Sequence, residues 1–234
     1  MIPIDEALTR VPVSRLVHFT SAVNLDPIFR DGAIRNSEDL AANAADRYSP
    51  TDLQRYDGRP SHVCSSFEYP NAYYHHQAKG KAEFINYPDW VCLILNRDLV
   101  RRTGTLFSSC NAATAGGAYL GEGGQAMLDC WGSKTVDGRF PRRSTHLAAV
   151  PTDLQAEVLI PGSIDLSEVS AIVTKSAERA RELFGTLQMY GLQPGRMEWR
   201  YAPMFFDRAQ LRSHIWRGQR VPEFVWTPTA EDLA

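Results

Sequence analysis

No long apolar run occurs anywhere in this sequence. The longest, Trp90–Leu95, has six residues, and a helical membrane span needs about 20. Charge of one sign is also missing. Lys and Arg total 25 against 27 Asp and Glu, a formal net charge of −2. Nothing global therefore advertises a nucleic-acid binder, and any such binding needs a local patch. The 16 Gly and 14 Pro follow no period, which excludes a collagen-like or low-complexity chain. An apolar share of 44% excludes a disordered one. The four cysteines, Cys64, Cys92, Cys110 and Cys130, form no C-x-x-C pair. They read as free thiols of a cytoplasmic protein. The first ten residues carry acids early and no apolar h-region, so no secretory signal is expected. With no repeat and no composition shift, a single domain over residues 1–234 is expected.

Familiar catalytic motifs are missing as well. There is no Walker A sequence, no G-x-S-x-G elbow and no H-E-x-x-H. The six histidines show no ligand spacing, so no metal is expected. Gly121–Ala126 fits G-x-G-x-x-A, but residues 112–120 make no convincing buried strand before it. Without a surrounding βαβ unit the motif reads as a glycine-rich loop.

What is present is a mixed pattern. Leu16–Phe19, Val63–Phe67, Trp90–Leu95, Gln155–Ile160 and Val169–Thr174 read as strands. Helices are expected after Ser21 as far as Gly32, over 38–47 behind Ser37, over 71–84, over 125–131, from Ser176 to Tyr190 and over 207–216. Strands and helices do not alternate steadily, which argues for α+β over a doubly wound fold.

Three pieces carry candidate chemistry. His18 and Thr20, two apart on a strand, share a face and offer hydrogen bonds suited to a ribose and a carboxamide; Asn24 opens the helix that follows. Glu157 lies in Gln-Ala-Glu-Val-Leu-Ile, where a carboxylate on a largely apolar strand is costly unless exposed or paired. Arg55, in the polar loop Asp52-Leu-Gln-Arg-Tyr56, has a planar fork suited to a pyrophosphate.

Together the pieces resemble the DarT family of DNA ADP-ribosyltransferase toxins. Leu16-Val-His-Phe-Thr20 with Asn24, Leu25 and Ile28 resembles the family's opening strand and helix. Asp52–Arg55 followed by His62–Phe67 resembles its arginine loop and next strand. Glu68–Tyr74 is similar to its proline turn, and Pro151–Ile160 to its glutamate strand. The ordered set spans about residues 14–175.

The resemblance implies an ADP-ribosyltransferase-like fold: two packed antiparallel sheets forming an NAD cleft, with peripheral helices. It implies transfer of ADP-ribose from NAD to a base of single-stranded DNA, without a metal. Glu157 and Arg55 are then catalytic, and His18, Thr20, Asn24 and Arg55 hold NAD. Arg47 and Arg59 stay open as alternatives for the cleft arginine. The Ser66–Asn71 stretch leans toward guanine over thymine as the base. A DarG-like macrodomain antitoxin is the implied partner.

A DNA acceptor also needs cations. Arg139, Phe140, Arg142 and Arg143, with Lys134, precede the glutamate strand and are expected beside the cleft, Phe140 stacking on a base. Residues 196–220 hold six Arg against Glu198 and Asp207. Competing readings keep the same cleft with an RNA or protein acceptor, or make the chain a non-catalytic nucleic-acid-binding module.

Overall fold

A computed structural model describes residues 2–44, 48, 55–78, 80 and 89–232. In chain order the elements are α1 (Ile4–Arg10), β1 (Arg15–Ser21), α2 (Leu25–Asp31), β2 (Ala33–Ile34), α3 (Ser37–Asn43), β3 (His62–Phe67), α4 (Ala72–Ala78), β4 (Trp90–Asn96), β5 (Leu106–Ser108) and β6 (Leu120–Glu122). There follow α5 (Gly123–Asp129), β7 (Glu157–Pro161), β8 (Ile164–Asp165), β9 (Val169–Thr174), α6 (Ala177–Met189), β10 (Glu198–Tyr201), α7 (Arg208–Trp216) and β11 (Phe224–Trp226).

The large sheet has the order β11-β10-β9-β4-β1-β3-β7-β5-β6, and β2 pairs with β8 in a small second one. Neighbours are antiparallel except β9 and β10, which run parallel. The class is α+β, with helices at the periphery. The two expected sheets are two halves of one hydrogen-bonded sheet. Their joint is short: β1 pairs with β3 at Leu16↔Phe67 and Val17↔Ser66. Beyond that point β1 stays with β4 through all seven of its residues, while β3 continues with β7. The halves part between β1 and β3, and the cleft opens there.

Side-chain alternation builds a core on each sheet face. Leu16, Val91, Leu93, Leu95, Val158 and Ile160 pack in one cluster with Phe184 and Trp199. Val17, Cys92, Ile94 and Val173 pack in the other with Phe205, Leu211 and Ile215. This explains why the central β4 reads as a continuous apolar run and not as an alternating one. The glycine-rich Gly121–Ala126 stretch is β6 running into α5. Gly124 donates to Ile2 O at 3.0 Å, and a Cβ there would lie 2.5 Å from Pro3 O. Its glycine serves close packing of the N-terminal segment. No helix among the described residues is long and apolar enough to cross a membrane.

Candidate active site

The parting of β1 and β3 leaves a cavity of about 400 Å³, within the range of small-molecule sites. His18, Thr20, Asn24, Arg55 and Glu157 all line it. Each is delivered by a different local cause.

His18 spans the gap from β1. Its Nδ1 lies 2.7 Å from Cys64 O on β3. A carbonyl can only accept, so Nδ1 carries the proton and Nε2 keeps a lone pair. Burial pushes the imidazole below its ordinary range, which favours this neutral form. Thr20, two residues on, is 4% exposed. Its Oγ1 accepts from Asn24 Nδ2 at 2.8 Å, leaving the hydroxyl proton for another acceptor. Ser21 makes no side-chain cap bond; a 3₁₀ turn at Ala22–Asn24 intervenes before α2 begins.

Glu157 enters from the first position of β7, between Ser66 of β3 and Ser108 of β5. Its Oε1 accepts from Asn71 Nδ2 at 3.1 Å and its Oε2 from the Ala112 N–H at 2.9 Å. Both partners are donors and favour the carboxylate. Burial opposes them and outweighs them, pushing the carboxyl up to about 7. Asp57 adds to the rise, and Arg55 offsets part of it. The group is thus poised between its two protonation states near neutral pH, as a general base requires.

Asn71 and the Ala112 amide are the supports that the sequence reading missed. Asn71 Oδ1 accepts from Tyr74 N at 3.0 Å at the start of α4. That bond turns the amide nitrogen toward Glu157. An Asn just before a helix was the available signal; a backbone donor such as Ala112 leaves none.

Arg55 differs from its expected role. Its Nε and Nη2 donate to Asp57, Nη2 at 2.9 Å. Nη1 donates to His62 O at 2.7 Å and to Ser37 Oγ at 3.1 Å, and Nη2 also to Arg59 O. All five N–H groups are committed within the protein. The fork holds the turn at the cleft wall instead of standing free for a phosphate, and its own φ of +39° is part of that turn. Arg59 is exposed, and Arg47 lies outside the described residues, as do Asp52–Gln54.

None of Arg139, Phe140, Arg142 and Arg143 lines the cavity. Arg142, expected at the DNA surface, is bonded within the chain. Its guanidinium donates to Val150 O at 2.9 Å and Thr152 Oγ1 at 3.2 Å, with Leu147 O and Ala148 O at 3.4 Å. These bonds brace the segment ahead of β7. Arg139 and Phe140 are exposed on a turn closed by Thr135 N donating to Phe140 O. Arg143 lies over the Trp216 ring at 4.1 Å. Among the described residues no group of three or more His, Cys, Asp or Glu could hold a metal ion.

The fold is similar to solved structures of low identity. Thermosipho africanus DarTG in complex with ADP-ribose matches with a TM-score of 0.56 at 15% identity, over 82% of this chain and 51% of that one. This chain therefore spans about half the length of the Thermosipho chain. Thermus sp. 2.9 DarT in complex with NAD+ gives a TM-score of 0.56 at 13% identity, covering 82% of this chain and 97% of the other. The same protein in complex with ADP-ribosylated ssDNA gives 0.53 at 12% identity, over 80% and 97%. No curated protein matches the sequence. The family model described as "ssDNA thymidine ADP-ribosyltransferase, DarT" matches residues 17–206, and the chain belongs to that family.

Proposed function

We propose that the protein transfers ADP-ribose from NAD to a base of single-stranded DNA, releasing nicotinamide. One observation carries the reading. A half-buried carboxylate with two donors and a pKa of about 7 shares a cavity with a neutral His18 and with Thr20. Relatives of this fold were solved with NAD+ and with ADP-ribosylated ssDNA.

The chain's residues would divide the work as follows. His18 Nε2 accepts, and the Thr20 hydroxyl donates, to the ribose and carboxamide of the nicotinamide end. The Arg55–Asp57 turn fixes the wall that the remainder lies against. As the C1″–nicotinamide bond breaks, its electron pair leaves with the pyridine nitrogen and positive charge grows at C1″. Glu157 stabilises that charge. The new bond forms from a base nitrogen to C1″, and Glu157 takes the proton that this nitrogen loses. Asn71 and the Ala112 amide hold the carboxylate in place.

For the base we take thymine, the one in the family's description. The guanine expectation rested on Ser66–Asn71. Of that stretch, Ser66 and Asn71 line the cavity, and Asn71 is committed to Glu157 and Tyr74. A DarG-like macrodomain antitoxin is the proposed partner.

Labelled NAD offered together with single-stranded DNA, RNA and protein tests the reading. Label should reach DNA, and Glu157→Ala should lower the rate by about 10²- to 10⁴-fold. Label on RNA or protein instead would replace the acceptor. Strand binding without any label would make the chain a binding module.

A further inference from the structure

The cleft accounts for the reacting base but leaves a separate cationic feature unused. Arg208, Arg212 and Trp216 stand at i, i+4 and i+8 of α7, so they share one helix face. The Arg208 guanidinium lies 5.4 Å from the Tyr73 ring centroid. Arg212 lies 4.9 Å from the Trp216 ring, and Arg143 reaches the same ring at 4.1 Å from another segment.

Several arginines elsewhere are tied to acids, as in Arg15–Glu223, Arg35–Asp31, Arg55–Asp57 and Arg200–Glu223. Among the described residues, Arg143, Arg208 and Arg212 form no such ion pair. Two acids lie close by. Asp207 caps α7, its Oδ1 accepting from Ala209 N at 2.9 Å and Gln210 N at 3.0 Å. Burial holds the Asp153 carboxyl above its usual range, and it accepts from Gln155 N. The three guanidiniums pair with neither carboxylate and are held instead against aromatic rings.

This face adjoins the cleft. A narrow crevice is lined by Ser66, Tyr73, Ala156, Arg208 and Arg212. Ala156 precedes Glu157, and Tyr73 follows two residues after Asn71. From Arg208 to Trp216 the helix extends the row by about 12 Å. Exposed Arg217 and Arg220 follow. The whole of α7 lies beyond residue 206, where the family match ends.

We propose that Arg143, Arg208 and Arg212, stacked on Trp216 and Tyr73, form the platform that holds the phosphate backbone of the single-stranded DNA acceptor beside the cleft. The inference rests on the acceptor reading above. Guanidiniums backed by aromatic rings match the alternation of charge and stacking surface on a single strand.

The test compares the full-length wild type with the Arg143→Gln/Arg208→Gln/Arg212→Gln variant and its triple Lys counterpart. Binding of a fluorescent oligo-dT is followed over a salt series, and ADP-ribosylated nucleoside is measured on the same samples. The slope of log K against log salt should shrink by about 2 in the Gln variant, at about 0.7 per lost phosphate contact. Its affinity at low salt should fall at least about tenfold. The Lys variant keeps the charge and should keep most of the slope. NAD should raise Tm in the Gln variant as in the wild type, because none of the three residues lines the cleft. An unchanged slope in the Gln variant, with wild-type DNA still modified, would overturn the platform and spare the acceptor reading. Tighter binding of oligo-U than of oligo-dT would also overturn it. A wild type that neither binds nor modifies DNA would overturn both.

Discussion

Replacing Asn71 by Ser isolates one hydrogen bond to Glu157. Ser is as good an N-cap as Asn, so the start of α4 is kept. Its side chain is too short to replace the Nδ2 donor now 3.1 Å from Oε1. A hydrogen bond to a charged group is worth about 1.5–3 kcal/mol. One pKa unit corresponds to about 1.4 kcal/mol, so the carboxyl should rise from about 7 to roughly 8–9. The ionised share at pH 7.5 then falls from about three quarters to between about a quarter and about 3%, a rate loss of about three- to 25-fold. Because only the ionised fraction is lost, raising the pH should restore the rate. The assay is kcat against pH for modification of single-stranded DNA. The acid limb should move up by about one to two units. A limb that stays in place, or a loss that persists equally at high pH, would refute the assignment of Asn71 as the partner that keeps Glu157 ionised.

Other consequences follow from the same geometry. Gly117 has φ of +86°, and a Cβ there would lie 2.7 Å from Asp57 O. Gly117→Ala should strain the contact between the Arg55–Asp57 turn and the Asn111–Gly117 loop that supplies the Ala112 donor, cutting turnover by about tenfold or more; wild-type turnover would remove the loop from the account. Glu157 also links stability to pH. Its folded value of about 7 lies above its ordinary 4.5, so the folded state binds more protons between these values and wild-type stability falls as pH rises through that window. Glu157→Gln does not ionise and should gain relative to wild type across it, by up to about 3 kcal/mol; a difference constant with pH in urea melts would contradict this. Arg142→Ala strips donors from several carbonyls and should cost about 2–3 kcal/mol of stability. Oligonucleotide affinity per folded molecule should not change, and a selective loss of affinity would return Arg142 to the DNA surface.

The sequence revealed most where local chemistry and tertiary packing agree. β4 stands out because both of its faces are covered. α6 and α7 begin at Ser176 and Asp207, whose side chains accept from helix N–H groups as their types suggest. The two edges of the sheet were far less legible. β5, β6, β10 and β11 have three or four residues each, too short for periodicity to register. The parallel β9–β10 pairing depends on where α6 returns the chain. Near α3 the cap is Asn36, accepting from Asp39 N, and Ser37 is the first helical residue. His18, Thr20 and Glu157 were legible as polar groups on apolar strands. The arginines were not, because type and charge do not reveal which acceptors are in reach. Arg55 and Arg142 look as free in sequence as Arg208 and Arg212, yet carbonyls, two hydroxyls and Asp57 accept from them.

The most direct measurement is mass spectrometry of nucleosides released from a mixed-sequence oligonucleotide treated with NAD and either wild type or Glu157→Ala. The wild type should give thymidine carrying one ADP-ribose and the variant almost none. Unmodified nucleosides in both samples, or equal modification by the two proteins, would contradict this reading.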